Sequence, residues 1–191
     1  MSRAWEIPDL DPAASVAENA RRVLAVRTAE FYSYAPVVPH PEYQEALHDL
    51  RIAAKRLRYT LELFRPQLGN PGERQIERVK AIQEALGILH DHDFRIDLIG
   101  EELTQLAVEQ SQEAQTAIAE ASPQDLAAIT SASLRPPPDD PRRGLIALLG
   151  REHEARRSAY AAFRSLWDTL AAEGFRRELV SLSILPLDSP R

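Results

Sequence analysis

Apolar residues in this chain recur every three or four positions, and prolines cut that pattern into helix-length pieces. Leu50, Ala53, Ala54, Leu57, Leu61 and Phe64 share one face of a segment from about Glu42 to Arg65. Val79, Ile82, Leu86 and Leu89 do the same in the next segment. In the last long segment the stripe is Leu145, Leu148, Leu149, Tyr160, Phe163, Trp167 and Leu170, and aromatics at this spacing read as core. No strand-like alternation competes with these stripes. The pattern predicts an all-α fold, an antiparallel helical bundle of about five to six helices.

The punctuation sets the boundaries. Ser15 is placed to cap a first helix running to about Tyr34. Pro36, Pro39 and Pro41 make Ala35 to Pro41 a connector. The second helix is expected to stop at Pro66, with Gly69, Asn70, Pro71 and Gly72 forming a turn. A third helix runs from near Glu73 to about His90; its interior Gly87 costs about 1 kcal/mol against Ala unless tight packing wants it. A fourth covers Asp91 to Ala121, bent near Gly100. Ser122 and Pro123 suit the start of a short helix, Arg142 to about Ala172 forms the last long one, and Gly174 precedes a short tail helix. The expected organisation is a flexible lead over 1–14, one helical domain over 15–185 with a Pro-rich internal linker at 135–141, and a tail at 186–191.

Composition adds bounds. The chain has 191 residues, 44% of them apolar and 27% charged, as expected of a soluble globular domain. No apolar run approaches the roughly 20 residues that span a bilayer, so no membrane partner is expected. Nothing at Met1 to Leu10 resembles a secretory signal, so the expected location is cytoplasmic. Without cysteine there is no disulfide, thiolate nucleophile or thiolate metal site.

Charge is segregated along the chain. The net charge of −6 argues against general avidity for nucleic acid or anionic membranes. Ile96 to Leu134 holds no Lys or Arg but seven acids, whereas His48 to Arg58 holds four cations and one acid. An anionic partner would have to find a local basic site.

The second helix offers one. His48, Arg51, Lys55, Arg58 and Glu62 follow at helical steps opposite the core stripe, within about 80° of arc. From His48 to Arg58 the rise is about 15 Å. The result is a straight row of hydrogen-bond donors on a rigid rod, flanked by Arg56. Guanidinium forks match phosphate oxygens and lysine adds a compact charge, so the row suits an extended anion with repeating charges. A merely solvated basic face has the same appearance.

Two further cations bear on the choice. Arg27 falls within the apolar stripe formed by Val16, Ala20, Val23, Leu24, Phe31 and Tyr34, and Glu152 and Arg156 interrupt the aromatic seam of the last helix. Glu152 and Arg156, four apart, are expected to pair with each other. The alternative is a concave, partly wet cleft into which several helices point cations.

His90, Asp91, His92 and Asp93 form a second cluster, and His48-Asp49 is another His-Asp pair. Such residues ligate catalytic divalent metals, which raises the alternative of a metal-dependent His-Asp phosphohydrolase. Positions two apart on a helix diverge by about 200°, so His90 and His92 converge only if the helix breaks there.

The stretches LHDLRIAAKRLRYTLELF (Leu47 to Phe64) and VKAIQEALGILHDHD (Val79 to Asp93) closely resemble the signature of CHAD domains, the conserved-histidine α-helical domains. That resemblance implies a helical module binding inorganic polyphosphate, with no cofactor. It makes His48 the family's histidine and Arg51, Lys55, Arg56 and Arg58 its basic helix residues. Lys80 matches the lysine of the family's second stretch, with Gln83, Leu86, Gly87 and Asp91 in register. The similarity extends, more weakly, from Ser15 to Leu170. Typical members carry two such units around a basic groove, whereas this chain has one copy of the HxxRxxxKRLR pattern. A homodimer of C2 symmetry would place two copies of the patch face to face.

The expected function is therefore non-enzymatic binding of polyphosphate through His48, Arg51, Lys55, Arg56, Arg58, Lys80, Arg27 and Arg156, in a cytoplasmic protein that could associate with polyphosphate granules. The alternatives are the metal-dependent phosphohydrolase and a nucleic-acid-binding or scaffold protein. Nucleic acid is disfavoured by the net charge and by the lack of aromatic platforms for single strands.

Overall fold

The structure is a computed structural model and describes residues 3–133 and 140–184. Among the described residues it is all-helical: α1 (Val16–Ser33), a short 3-10 turn (Ala35–Val37), α2 (Gln44–Leu63), α3 (Arg65–Glu120), α4 (Leu126–Ser133), α5 (Arg142–Ala172) and α6 (Phe175–Ile184). None of these helices is long and apolar enough to cross a membrane. Residues 135–139 of the Pro-rich linker and the tail at 186–191 lie outside the described residues.

The caps explain most of the boundaries. Ser15 and Glu18 form a reciprocal capping box: the Glu18 N–H donates to Ser15 Oγ at 3.2 Å, and the Ser15 N–H donates to Glu18 Oε2 at 2.9 Å. Pro36 sits in the 3-10 turn that ends α1. Ser122 Oγ accepts from the Asp125 N–H at 3.3 Å ahead of α4, and Gly174, at φ +81°, separates α5 from α6.

Two boundaries differ from expectation. Pro66 does not stop a helix but lies in the first turn of α3, where its missing N–H costs nothing. The break falls at Gly69, whose φ of +55° and ψ of −152° are non-helical. Gly72 then allows the chain to close up, since a Cβ there would lie 2.4 Å from Leu68 Cβ. The third and fourth expected helices are a single one, continuous through His90, Asp91 and Gly100.

The chain divides into two compact units, Met1–Asp91 with Arg157–Arg191, and His92–Arg156. The first holds the main core. Leu50, Ala54, Leu57 and Leu61 of α2 are buried with Val79, Ile82, Leu86 and Leu89 of α3, as the stripes require. Leu24 and Phe31 of α1, Phe163 of α5, and Phe175 and Leu179 of α6 complete the cluster. Phe31 is its aromatic centre, with ring centroids 5.5 Å from Trp167 and 6.4 Å from Phe175. The Tyr160 hydroxyl donates to the carbonyl of buried Val38 at 2.9 Å, fixing the connector after α1. The N-terminal lead, expected to be flexible, is tied to α1: Asn19 donates to the Asp11 carbonyl at 2.8 Å, and the Trp5 N–H donates to Glu30 at 3.3 Å.

Ile99 is the second unit's one fully buried large apolar side chain among the described residues, alongside buried Asp93, Asp140 and Arg156. His92 Nδ1 meets Glu152 Oε2 at 2.7 Å, and Arg95 reaches the same carboxylate at 3.5 Å. Arg156 pairs with Asp93. The expected Glu152–Arg156 pair is therefore not the pairing found: positions on α3 offered both residues better-placed partners. Arg142 bonds Asp140 at 2.6 Å and, chiefly through that contact, holds its carboxyl down at about 2.

Candidate anion-binding face

The site lies in the first unit, where α2 packs against the N-terminal half of α3. Burying the Leu50–Leu61 stripe turns His48, Arg51, Lys55 and Arg58 away from the core centre and along the seam with α3. Two contacts set the register. The His48 and His90 rings have centroids 4.5 Å apart, and a Cβ on Gly87 would lie 3.6 Å from Arg51 Nε. The helices are thus antiparallel here, and each step along α2 is matched by an equal step back along α3. Continuing by the same helical steps places Gln83 opposite Lys55 and Lys80 opposite Arg58. Gly87, which the sequence marked as costly, lies against the Arg51 side chain, at a spacing where a Cβ would make ordinary van der Waals contact.

The polar atoms of this seam are poorly satisfied within the protein. His48 Nδ1, Arg51 Nε, Arg58 Nε and Gln83 Oε1 are all buried without a hydrogen-bond partner. Buried polar groups are rarely left so. Among the described residues no carboxylate pairs with Arg51, Lys55 or Lys80. Arg58 Nε stands 3.8 Å from Glu62 Oε1, a long contact for an ion pair. Lys55 and Arg58 both lie over the Tyr59 ring, at 5.7 and 5.0 Å from its centroid, which steadies them without neutralising them. Burial holds the His48 imidazole below its ordinary pKa, and the neighbouring His90 and Arg51 charges push the same way.

Arg27 and Arg56, both expected among the polyphosphate-binding residues, are paired within the protein. Both bind Glu30, whose carboxylate is almost fully enclosed: Arg56 Nη1 donates to Oε1 at 2.7 Å and Arg27 Nη1 to Oε2. Arg27 also donates to the Trp5 carbonyl at 3.0 Å. An inward carboxylate between two guanidiniums is the partner that an arginine in an apolar stripe needs. Arg156, likewise expected in the site, is in the second unit on Asp93.

The His-Asp cluster separates in the same way. Because α3 continues through it, His90 faces His48 while His92 faces Glu152. Among the described residues no group of three or more His, Asp or Glu side chains is arranged to hold a metal ion. Sequence reasoning missed His90 and Glu30 as site and support residues. The signal for His90 was available: the intervals from His90 back to Gly87, Gln83 and Lys80 mirror those from His48 to Arg51, Lys55 and Arg58.

The CHAD domain family model matches residues 2–100, slightly more than half of the chain, so this protein belongs to the CHAD family. The matched span includes α2 and the part of α3 that faces it, whereas α5, along which the resemblance was read as far as Leu170, lies beyond it. CHAD domains are associated with polyphosphate-related proteins. No curated protein and no solved structure matches the chain.

Proposed function

We propose that this protein binds inorganic polyphosphate along the α2–α3 seam and does not turn it over. The observation that carries the reading is that Arg51, Lys55 and Lys80 have no carboxylate partner among the described residues, beside buried polar atoms of His48, Arg51 and Arg58 that lack a hydrogen-bond partner. A polymer with a charge on every repeat supplies acceptors to a row of donors in succession, which a single small anion cannot do. Membership of the CHAD family supports the choice of polymer. Each phosphate neutralised releases counterions, so affinity falls steeply with salt, as it does for other polyanions.

The test is titration with polyphosphates of defined length at several salt concentrations, alongside a phosphate-release assay. Affinity is expected to rise with chain length until the seam is filled, with no phosphate released. Equal affinity for orthophosphate and long chains, or steady release, would overturn the reading. A second copy of the chain enters the same proposal, since one unit presents one basic seam and C2 symmetry would join two. Light scattering is expected to give a dimer; a strictly monomeric particle at working concentration would count against it.

A further inference from the structure

His48 and His90 stand with ring centroids 4.5 Å apart, on facing helices, with Arg51 one turn further along. Two imidazolium ions at that distance, next to a guanidinium, repel one another. His48 Nδ1 is buried with no hydrogen-bond partner, and so is Arg51 Nε. If the ring protonates at Nδ1, it gains an N–H that no acceptor in the protein receives. Among the described residues the charges acting on His48 are His90 from α3 and Arg51 and Asp49 from α2 itself; of these only Asp49 favours the cation. The free site therefore disfavours the His48 cation.

We propose that His48 and His90 form a proton-coupled anion clamp, the pair taking up a proton from solvent when a phosphate group of the bound chain settles against it and Arg51. This inference rests on the polyphosphate reading and assigns His90 to the site. A phosphate group supplies what the ring pair lacks, a negative charge close by. The proton and the anion then favour each other's binding, and the coupling is reciprocal. Burial and the neighbouring charges disfavour the His48 cation in the free site, so a phosphate that favours it draws in a proton over the ordinary imidazole range. Polyphosphate affinity should rise as pH falls through that range. No bond is made or broken; one proton moves from solvent to an imidazole nitrogen and returns on release.

The test uses the full chain and long-chain polyphosphate, in which only the two terminal groups titrate near neutrality. Affinity is measured from pH 5.5 to 8 at fixed salt for the wild type, His48→Gln and His90→Gln, with circular dichroism to confirm unchanged helix content. Calorimetry in two buffers of different ionisation enthalpy counts the protons taken up. The expected result is a loss of affinity approaching about tenfold per pH unit at its steepest, with uptake of close to one proton. Both variants should flatten the profile and bind at all pH values like the wild type at its alkaline end. A wild type that binds in a salt-dependent way with the same shallow profile as the variants would overturn the clamp and leave the polyphosphate reading standing. Absence of salt-dependent binding would overturn both. NMR titration of the wild-type imidazoles gives a check that needs no substitution: adding polyphosphate must raise the His48 pKa, and an unchanged value contradicts the clamp.

Discussion

The first unit carries two sets of cations on neighbouring faces of one helix, and they differ in what lies opposite. Arg56, with Arg27 of α1, is held by Glu30, a carboxylate 1% exposed. On the other face Arg51 lies against Gly87 of α3 and the His48 ring against His90, and Arg51 and Lys55 meet no carboxylate among the described residues. The first set has its counter-charge built in and serves the fold. The second has no enclosed carboxylate of this kind among the described residues. A basic run such as His48 to Arg58 is therefore not one feature, and helical phase decides which of its members are structural.

The largest effect expected from breaking this contrast is on the inner set. Glu30→Ala leaves two guanidiniums facing an enclosed space without their carboxylate, which should cost about 3–5 kcal/mol of stability in chemical denaturation. A cost below about 1 kcal/mol would mean the pair is not structural. The outer set should behave in the opposite way. Replacing Arg51, Lys55 and Arg58 together by Ala should reduce polyphosphate affinity by about a hundredfold or more, since hydrogen bonds to charged groups contribute about 1.5–3 kcal/mol each. Stability of that variant should stay near the wild type or improve as mutual repulsion is relieved.

A subtler probe leaves every charge in place. Gly87→Leu sets a bulky side chain where Arg51 crosses α3, a Cβ alone already standing 3.6 Å from its Nε. Affinity should fall several-fold while the helix, relieved of a glycine, gains up to about 1 kcal/mol. Unchanged affinity would remove Arg51 from the site. The smallest effect is on stability against pH. His48 is held below its ordinary pKa when folded, so the unfolded chain binds its proton first. Its contribution is full above the unfolded imidazole value, near 6.5, and is lost as pH falls from there through the folded value. His48→Gln should remove that slope from thermal melts recorded in the absence of polyanion.

How far the sequence foretold this arrangement depended on whether a signal repeats. The apolar stripes of α2 and the first half of α3 have several members each, and their phase put Leu50, Leu57, Val79 and Leu86 in the core where they are found. The row from His48 to Arg58 was legible for the same reason. Single residues were not. Glu30 reads as an ordinary surface acid, and only its place three positions after an inward Arg27 hints that it is enclosed. Charged residues and Gly100 around the His-Asp cluster resembled a helix end, but no residue there forbids helix, and α3 continues. The pairing of Arg156 with Asp93 depends on two helices 63 positions apart, a contact that no local pattern records.

The most direct test of the central claim is the dependence of polyphosphate affinity on salt, compared between the wild type and an Arg51→Ala, Lys55→Ala variant. If these side chains each neutralise a phosphate, the slope of log affinity against log salt should become shallower by about one for each cation removed. An identical slope and affinity in the two proteins would mean that the polymer binds elsewhere, and the account of the α2–α3 seam would be wrong.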